Sequence, residues 1–310
     1  MKDLLKTSDL SQSDFEYLLE RSRRFKQKPL RRQSTLSGET VCLYFAKPST
    51  RTRISFETAV TRLGGVPITL GASDLQLGRG ETIEDTARVI SRYSRAFVIR
   101  TFKDDDVERF AKAASIPVIN ALTDGHHPCQ SLADLLTLHE YKGALDKLKI
   151  TYLGDGNNVA VSLMEACALM GTSFALGAPK AYSMPEELVE QARAVAKKSG
   201  ATITITEDVA EAVRGADAVY TDVWLSMGHS DSERAERHAA LSPYRVDEKA
   251  MAQAKKDAIF MHCLPAHRGE EVSAGVADGA SSVIFDQAEN RLHTAVAVLF
   301  ATLEGKLQGR

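Results

Sequence analysis

The chain has 310 residues, 44% of them hydrophobic and 26% charged, with a formal net charge of −2. That length suits one large or two medium domains with a substantial core. The near-neutral balance excludes any global attraction to nucleic acid or anionic lipid, so anion binding must come from locally gathered basic groups. The four cysteines, Cys42, Cys129, Cys167 and Cys263, are scattered without a CxxC pair. This excludes a disulfide scaffold or structural zinc site and favours a reducing compartment. The early acidic residues and lack of an apolar stretch in "MKDLLKTSDLSQSDFEYLL" do not fit a signal peptide. The apolar run "TAVAVLFATL" (294–303) is about half of a membrane span. The expected location is cytoplasmic.

In chain order, "SQSDFEYLLERSRRFKQ" places Phe15, Leu18, Leu19 and Phe25 at helical spacing, with Ser11 or Ser13 as N-cap. "TVCLYF" (40–45) reads as a buried strand, "STRTRISFETAVTRLGG" as a helix stopped by Gly64-Gly65, and "VPITL" (66–70) as the next strand. The alternation continues through "ETIEDTARVISRY", "AFVIR", "DDDVERFAKAAS", "PVINA" and a helix beginning near Pro128. The charged stretch "KGALDKLK" (142–149) reads as a join.

Beyond it, "ITYLG", "SLMEACALM", "SFALGA", "ELVEQARAVAKKSG", "TITIT", "DVAEAVRGA", "AVYTD" and "AIFMHC" repeat the pattern. "SVIFDQ", read as a strand, and a helix from about Asn290 to Leu303 close it. Strands alternating with helices imply parallel sheets covered on both faces. The expected fold class is α/β: two doubly wound parallel-sheet domains with the active site in the cleft between them. Their expected extents are 1–141 and 142–289, with a closing helix over 290–305 packing back on the first.

Ligands collect at the C-terminal ends of such strands. Six polar clusters follow predicted strands: 47–53, Arg100, His126–Gln130, 154–158, Asp222 and 262–268. "STRTR" (49–53) at a helix entry offers unpaired N–H groups, hydroxyls and guanidinium groups, which suit a phosphate. An N-cap with solvent-facing arginines is an equal reading of that motif taken alone. Arginine in a first helical turn opposes the helix dipole unless an anion is present.

In "HHPCQ", Cys129 reads as a small core residue, because sequence adjacency does not give thiol–imidazole geometry. His127 and Gln130 are hydrogen-bond donors for a carbonyl or phosphate oxygen. "LGDGNNVAVSL" opens like a dinucleotide-binding turn but lacks the third glycine and a later ribose-binding acid, which disfavours a nicotinamide-dependent dehydrogenase. Asn157 and Asn158 are either turn formers or ligands for an amino-acid head group. Asp222 as an N-cap and Cys263 as a buried hydrophobe are each the ordinary reading alone. Together at neighbouring strand ends they make an acceptor site for an amine.

With these motifs in order over the whole chain, the sequence resembles the aspartate/ornithine carbamoyltransferase family, on its ornithine branch. "STRTRISFE", "DLQLGRGETIEDTARV", "HPCQSLADLLT", "GDGNN", "DVWLSMG", "HCLPAHRG" and "AENRLHTAV" carry the resemblance. It implies that carbamoyl phosphate is held by Ser49, Thr50, Arg51, Thr52, Arg100, His127, Gln130, Cys263, Leu264 and Arg291. Gln76 is implied to reach that site in an adjacent subunit of a homotrimer. Ornithine is implied to bind Asn158, Asp222, Ser226 and Met227, and the catalytic set to be Arg51, Arg100, His127, Asp222 and Cys263. Val161 and His229 depart from the residues frequent in relatives.

The resemblance implies L-citrulline and phosphate as products, a place in arginine metabolism, and no metal or organic cofactor. Putrescine or an acylated ornithine is the alternative acceptor. A binding protein that has kept the carbamoyl phosphate pocket without turnover is a further alternative, disfavoured by the intact Asp222 and Cys263.

Overall fold

The computed structural model of the chain describes residues 2–28, 34–225 and 231–310. Two compact units emerge, one of residues 1–133 and 289–310, the other of residues 134–288. The sequence suggests a join at 142–149. The two compact units divide between Ala133 and Asp134, within a helix that runs unbroken from Pro128 to Lys142.

The first unit contains α1 (Gln12–Gln27), β1 (Thr40–Phe45), α2 (Thr50–Arg62), β2 (Val66–Gly71), α3 (Ile83–Tyr93), β3 (Ala96–Arg100), α4 (Asp104–Ala113) and β4 (Val118–Leu122), followed by the start of α5 (Pro128–Lys142). Proline suits the first helical position, where its missing N–H would have no intrahelical acceptor. Ser11 caps α1 reciprocally with Asp14, accepting the Asp14 N–H at 3.1 Å while the Asp14 carboxylate accepts the Ser11 N–H.

The four strands pair in parallel in the order β2-β1-β3-β4. β1, β3 and β4 are almost wholly buried, which explains their continuous apolar runs. Under the sheet, Phe97 stacks on Phe110 with ring centroids 4.2 Å apart. Such a pair adds about 0.5–1.5 kcal/mol beyond its buried area. Between β3 and β4 the register slips after Ile99↔Asn120, so that Arg100 faces Leu122 and Ala121 is the extra residue. A bulge of this kind re-aims the side chain at a strand end.

The second unit contains β5 (Lys149–Leu153), α6 (Asn158–Met170), β6 (Ser173–Gly177), α7 (Glu186–Ser199), β7 (Ile203–Thr206), α8 (Val209–Val213), β8 (Ala218–Thr221), α9 (Asp231–Leu241), α10 (Glu248–Met251), β9 (Ile259–His262) and α11 (Ala274–Ala277). Its five parallel strands run β7-β6-β5-β8-β9.

The final helix, α12, spans Ile284–Leu303 and so begins earlier than the sequence suggests. "SVIFDQ" is not a strand: only Ser282 bridges Phe260, and Ile284 opens the helix. Its apolar run reflects burial of one helical face, since Ile284 packs in the second unit's core while Phe285 is 70% exposed. The C-terminal part of α12 belongs to the first unit, where Phe300 meets Phe25 edge-on at 5.8 Å. The backbone N–H groups of Gln308 and Gly309 both donate to the Asp14 carboxylate at 2.8 Å.

Among the described residues, no helix is long and apolar enough to cross a membrane. All four cysteines are free thiols.

Candidate active site

In each unit the strands are parallel, so the segments leaving their C-terminal ends emerge along one edge. In the first unit these are 46–49 after β1, 101–103 after β3 and 123–127 after β4. Those three strands are neighbours, and the strand order reverses between β1 and β3. A switch point of this kind opens a crevice suited to a ligand.

Ser49 is the N-cap residue of α2, and its hydroxyl makes no side-chain cap bond to the helix. Thr50 and Arg51 are exposed, whereas Thr52 is buried. Arg53 pairs with Glu57 one turn on, Nε to Oε1 at 2.9 Å, and so braces the helix surface.

Arg291, on α12, is 5% exposed and gathers three partners in the same unit. Its Nη2 donates to Thr52 Oγ1 at 3.3 Å, and its Nη1 donates to His127 Nε2 at 3.2 Å and to the amide oxygen of Gln130. A guanidinium only donates. His127 Nε2 is therefore the acceptor, which puts the proton of the neutral ring on Nδ1.

Burial, followed by the charges of Arg291 and Arg100, depresses the His127 pKa well below the usual imidazole value. The ring is consequently a neutral dipole. Gln130 turns its oxygen to Arg291, so its amide nitrogen is the end that can donate elsewhere. Cys129 is an inert core thiol, its pKa pushed up to about 11 by burial. The neighbouring His126 meets Asp104 through Nδ1 at 3.0 Å, tying the β4 exit to α4.

His127 makes the stability of the fold depend on pH. Because its folded pKa is depressed, the unfolded chain takes up this proton first as pH falls. The stabilisation is complete above the unfolded value of about 6.5 and declines below it by up to about 1.4 kcal/mol per pH unit, until the folded pKa is reached. Urea unfolding in steps from about pH 7 to about pH 5 is expected to show a flatter decline for His127→Asn than for the parent chain. Equal slopes would mean that the ring titrates alike in both states.

Gln76 is exposed in a 3-10 turn spanning Gln76–Arg79, where its side-chain oxygen accepts from Arg79 at 3.4 Å.

The second unit builds another cluster at its own reversal of strand order, between β5 and β8. Asp222 follows β8 and is 8% exposed. Its Oδ1 accepts from the Cys263 thiol at 2.9 Å and its Oδ2 from Asn157 Nδ2 at 3.1 Å. Tyr152 donates to Asn157 Oδ1 at 3.3 Å. Burial, then the nearby Asp222 carboxylate, raises the Cys263 pKa well above the usual thiol value. Cys263 is thus a thiol that orients Asp222, and it has little character as a nucleophile.

Asn158 is the first residue of α6 and half-buried. Asn157 is the N-cap, its side-chain oxygen accepting the N–H groups of Val159 and Ala160. The "GDGNN" glycines are taken up by packing. A Cβ on Gly154 would press on Trp224, and one on Gly156 would lie 2.8 Å from the Met184 backbone nitrogen.

Leu264 adopts a left-handed φ of 62°, which is rare for a side chain branched beyond Cβ and turns the chain sharply after Cys263. Its N–H donates to His262 Nδ1 at 2.8 Å, and His262 Nε2 faces Glu271 Oε1 at 3.3 Å. Although burial raises the Glu271 pKa, hydrogen bonds from His262 and the His267 N–H bring it below the usual carboxylate value. Gln287, also fully buried, accepts the His262 N–H at 2.9 Å.

Thr52, His127, Gln130 and Arg291 therefore meet in the first unit, and Asp222 and Cys263 meet in the second. Ser226 and Met227, expected at the acceptor, and His229 lie outside the described residues. The positioning roles of Asn157, Tyr152, His262, Glu271 and Gln287 escape a reading of sequence. Only the paired asparagines of "GDGNN" and the histidine of "HCLP" hint at them.

Residues 2–140 match the family of aspartate/ornithine carbamoyltransferases in its carbamoyl-P binding domain, and residues 146–302 match its Asp/Orn binding domain. The chain is 52% identical over 304 residues to an ornithine carbamoyltransferase of Anoxybacillus flavithermus, covering 97% of this chain and 96% of the relative. It is 50% identical over 302 residues to that of Bacillus subtilis, covering 97% and 94%. The solved ornithine carbamoyltransferase of Pyrococcus furiosus superposes with a TM-score of 0.94 at 47% identity, covering 99% of this chain and 98% of that one.

Proposed function

The chain belongs to the aspartate/ornithine carbamoyltransferase family, and on that premise we propose that it transfers the carbamoyl group of carbamoyl phosphate to the δ-amine of L-ornithine, giving L-citrulline and phosphate. The observation that carries the reading is the convergence of Arg291 on Thr52, His127 and Gln130 beside the start of α2. The net charge of −2 attracts no dianion, so a phosphate must be held by local groups. The first-turn N–H groups of α2, the hydroxyls of Ser49, Thr50 and Thr52, and the guanidinium groups of Arg51 and Arg100 supply them. Gln130, His127 and Arg291 face the carbamoyl group. Cys263 and Leu264 complete the reaction centre.

The acceptor amine presents the second requirement. At neutral pH, freeing its lone pair costs about 4 kcal/mol if it titrates like lysine. Asp222, held between Asn157 and Cys263, orients the amine, with Asn158, Ser226 and Met227 holding the amino-acid end of ornithine. The nitrogen attacks the carbamoyl carbon and the oxyanion is met by Arg51, Thr52 and the neutral donor His127. The C–O bond to phosphate then breaks, and the departing phosphate takes the amine's proton.

Gln76 acts from a neighbouring subunit, so the working form is a homo-oligomer, a trimer in this reading. Val66 and Ile68 on the edge strand β2, together with Ile54 and Phe102, support self-association, since all four are large apolar side chains between 42% and 59% exposed. The scattered free thiols fit a cytoplasmic setting.

Citrulline formation with ornithine, putrescine and aspartate as competing acceptors tests the reaction. Ornithine is expected to be preferred. Arg51→Ala and Gln76→Ala should each lose at least about 100-fold in turnover, with unfolding curves like the parent's. Mixing the two inactive variants after subunit exchange should restore part of the activity, because some sites then combine an intact Arg51 with a neighbour's Gln76. Full turnover by Arg51→Ala would remove the phosphate site, and a mixture as inactive as its components would remove the shared one.

A further inference from the structure

We propose that His267, Glu270 and Glu271 of the second unit form a binding site for one divalent transition-metal ion of the zinc class. The ligand atoms of these three residues all lie within 4.8 Å of one another. Glu271 is fully buried, and its Oε1 is engaged by His262. Its Oε2 is buried without a hydrogen-bond partner among the described residues and lies 3.6 Å from His267 Nδ1. Around a tetrahedral ion with bonds of about 2.0–2.1 Å, neighbouring ligand atoms are about 3.3 Å apart. The pair is thus close to the spacing an ion requires, and the uncompensated oxygen faces the place the ion would occupy.

Hydrogen bonds within the chain hold the three residues in place. The turn carrying the three residues is closed by the Gly269 N–H donating to Val272 O at 2.7 Å. Arg245 Nε fixes the Glu270 carbonyl at 2.6 Å. His238 on α9 meets Glu270 Oε2 through Nε2 at 3.2 Å, and the edge of Trp224 packs at the His238 ring with centroids 5.5 Å apart. His238 is therefore a partner that orients a ligating carboxylate, while His262 does the same for Glu271.

One imidazole with two carboxylates suits zinc and its neighbours over magnesium, which prefers oxygen ligands throughout. His267 is exposed and Glu270 half-buried, which leaves the remaining coordination position to water. A second grouping, Asp222 with His262 and Cys263, is poorer, since both ring nitrogens of His262 and the thiol are already engaged.

The full chain, stripped with a chelator, would be equilibrated with Zn²⁺ and freed of excess before its metal content is measured. Replacement by Co²⁺ would report the ligands through visible absorption. The parent chain is expected to retain one ion and to give a Co²⁺ spectrum without a thiolate charge-transfer band. His267→Ala/Glu270→Gln, altered only at partly exposed positions, should bind at least tenfold more weakly with an unchanged unfolding curve. Cys263→Ser should retain the ion. A parent chain that keeps no ion, a double variant that keeps it, or loss of the ion in Cys263→Ser would each overturn the assignment.

Discussion

Arg291→Met is expected to lower kcat/KM for carbamoyl phosphate by about 100- to 1,000-fold, equivalent to about 3–4 kcal/mol of transition-state stabilisation. Methionine fills much of the volume but donates nothing. Thr52 Oγ1, His127 Nε2 and Gln130 Oε1 would all lose their common donor while remaining buried. A hydrogen bond from a charged donor contributes about 1.5–3 kcal/mol, so the variant should also unfold at lower denaturant concentration.

Arg291→Lys separates charge from geometry. Its single ammonium cannot reach three acceptors arranged around a planar fork, so activity should remain well below that of the parent chain. Steady-state citrulline assays alongside urea unfolding distinguish the cases. Arg291→Met with a kcat/KM within about fivefold of the parent's, well short of the expected loss, would show that this guanidinium is scaffolding alone.

Asp222→Asn should reduce kcat by about 100-fold or more at saturating carbamoyl phosphate. It should change the KM for carbamoyl phosphate less than kcat, because the groups proposed to hold the phosphate lie in the first unit. The substitution is nearly isosteric, but it removes the charge and places an amide where one oxygen now accepts from Asn157 or Cys263. A second readout separates an electrostatic role from a steric one. Burial first and the Asp222 carboxylate second raise the Cys263 pKa, so removing the charge should lower it. Alkylation of the thiol, followed against pH, should then begin at lower pH than in the parent. An unchanged kcat would detach Asp222 from orienting the amine, and an unchanged alkylation profile would detach its charge from the thiol.

The α/β alternation was legible along the chain because fully buried parallel strands require continuous apolar runs such as "TVCLYF" and "AFVIR". Capped helices, by contrast, carry residues like Ser11 and Asp14 at fixed offsets. The misreading of "SVIFDQ" follows from the same physics. A short apolar run reports burial, and burial of Ile284 in a helix looks the same in sequence as burial in a strand.

The candidate groups were likewise legible where they stand close together, as in Ser49 to Arg53, or directly follow a strand, as with Asp222 and Cys263. What sequence alone could not supply was partnership at a distance. Arg291 meets Thr52 across 239 positions of chain, and Asn157 meets Asp222 across 65. The tautomer of His127, the raised thiol of Cys263 and the engaged nitrogens of His262 all depend on such meetings. The sequence by itself determined which polar residues stand at the strand ends, since hydrophobic period and capping are local properties of the chain. Which groups donate, accept or stay neutral there was decided only by the tertiary structure, because burial and charge proximity arise when distant segments pack together.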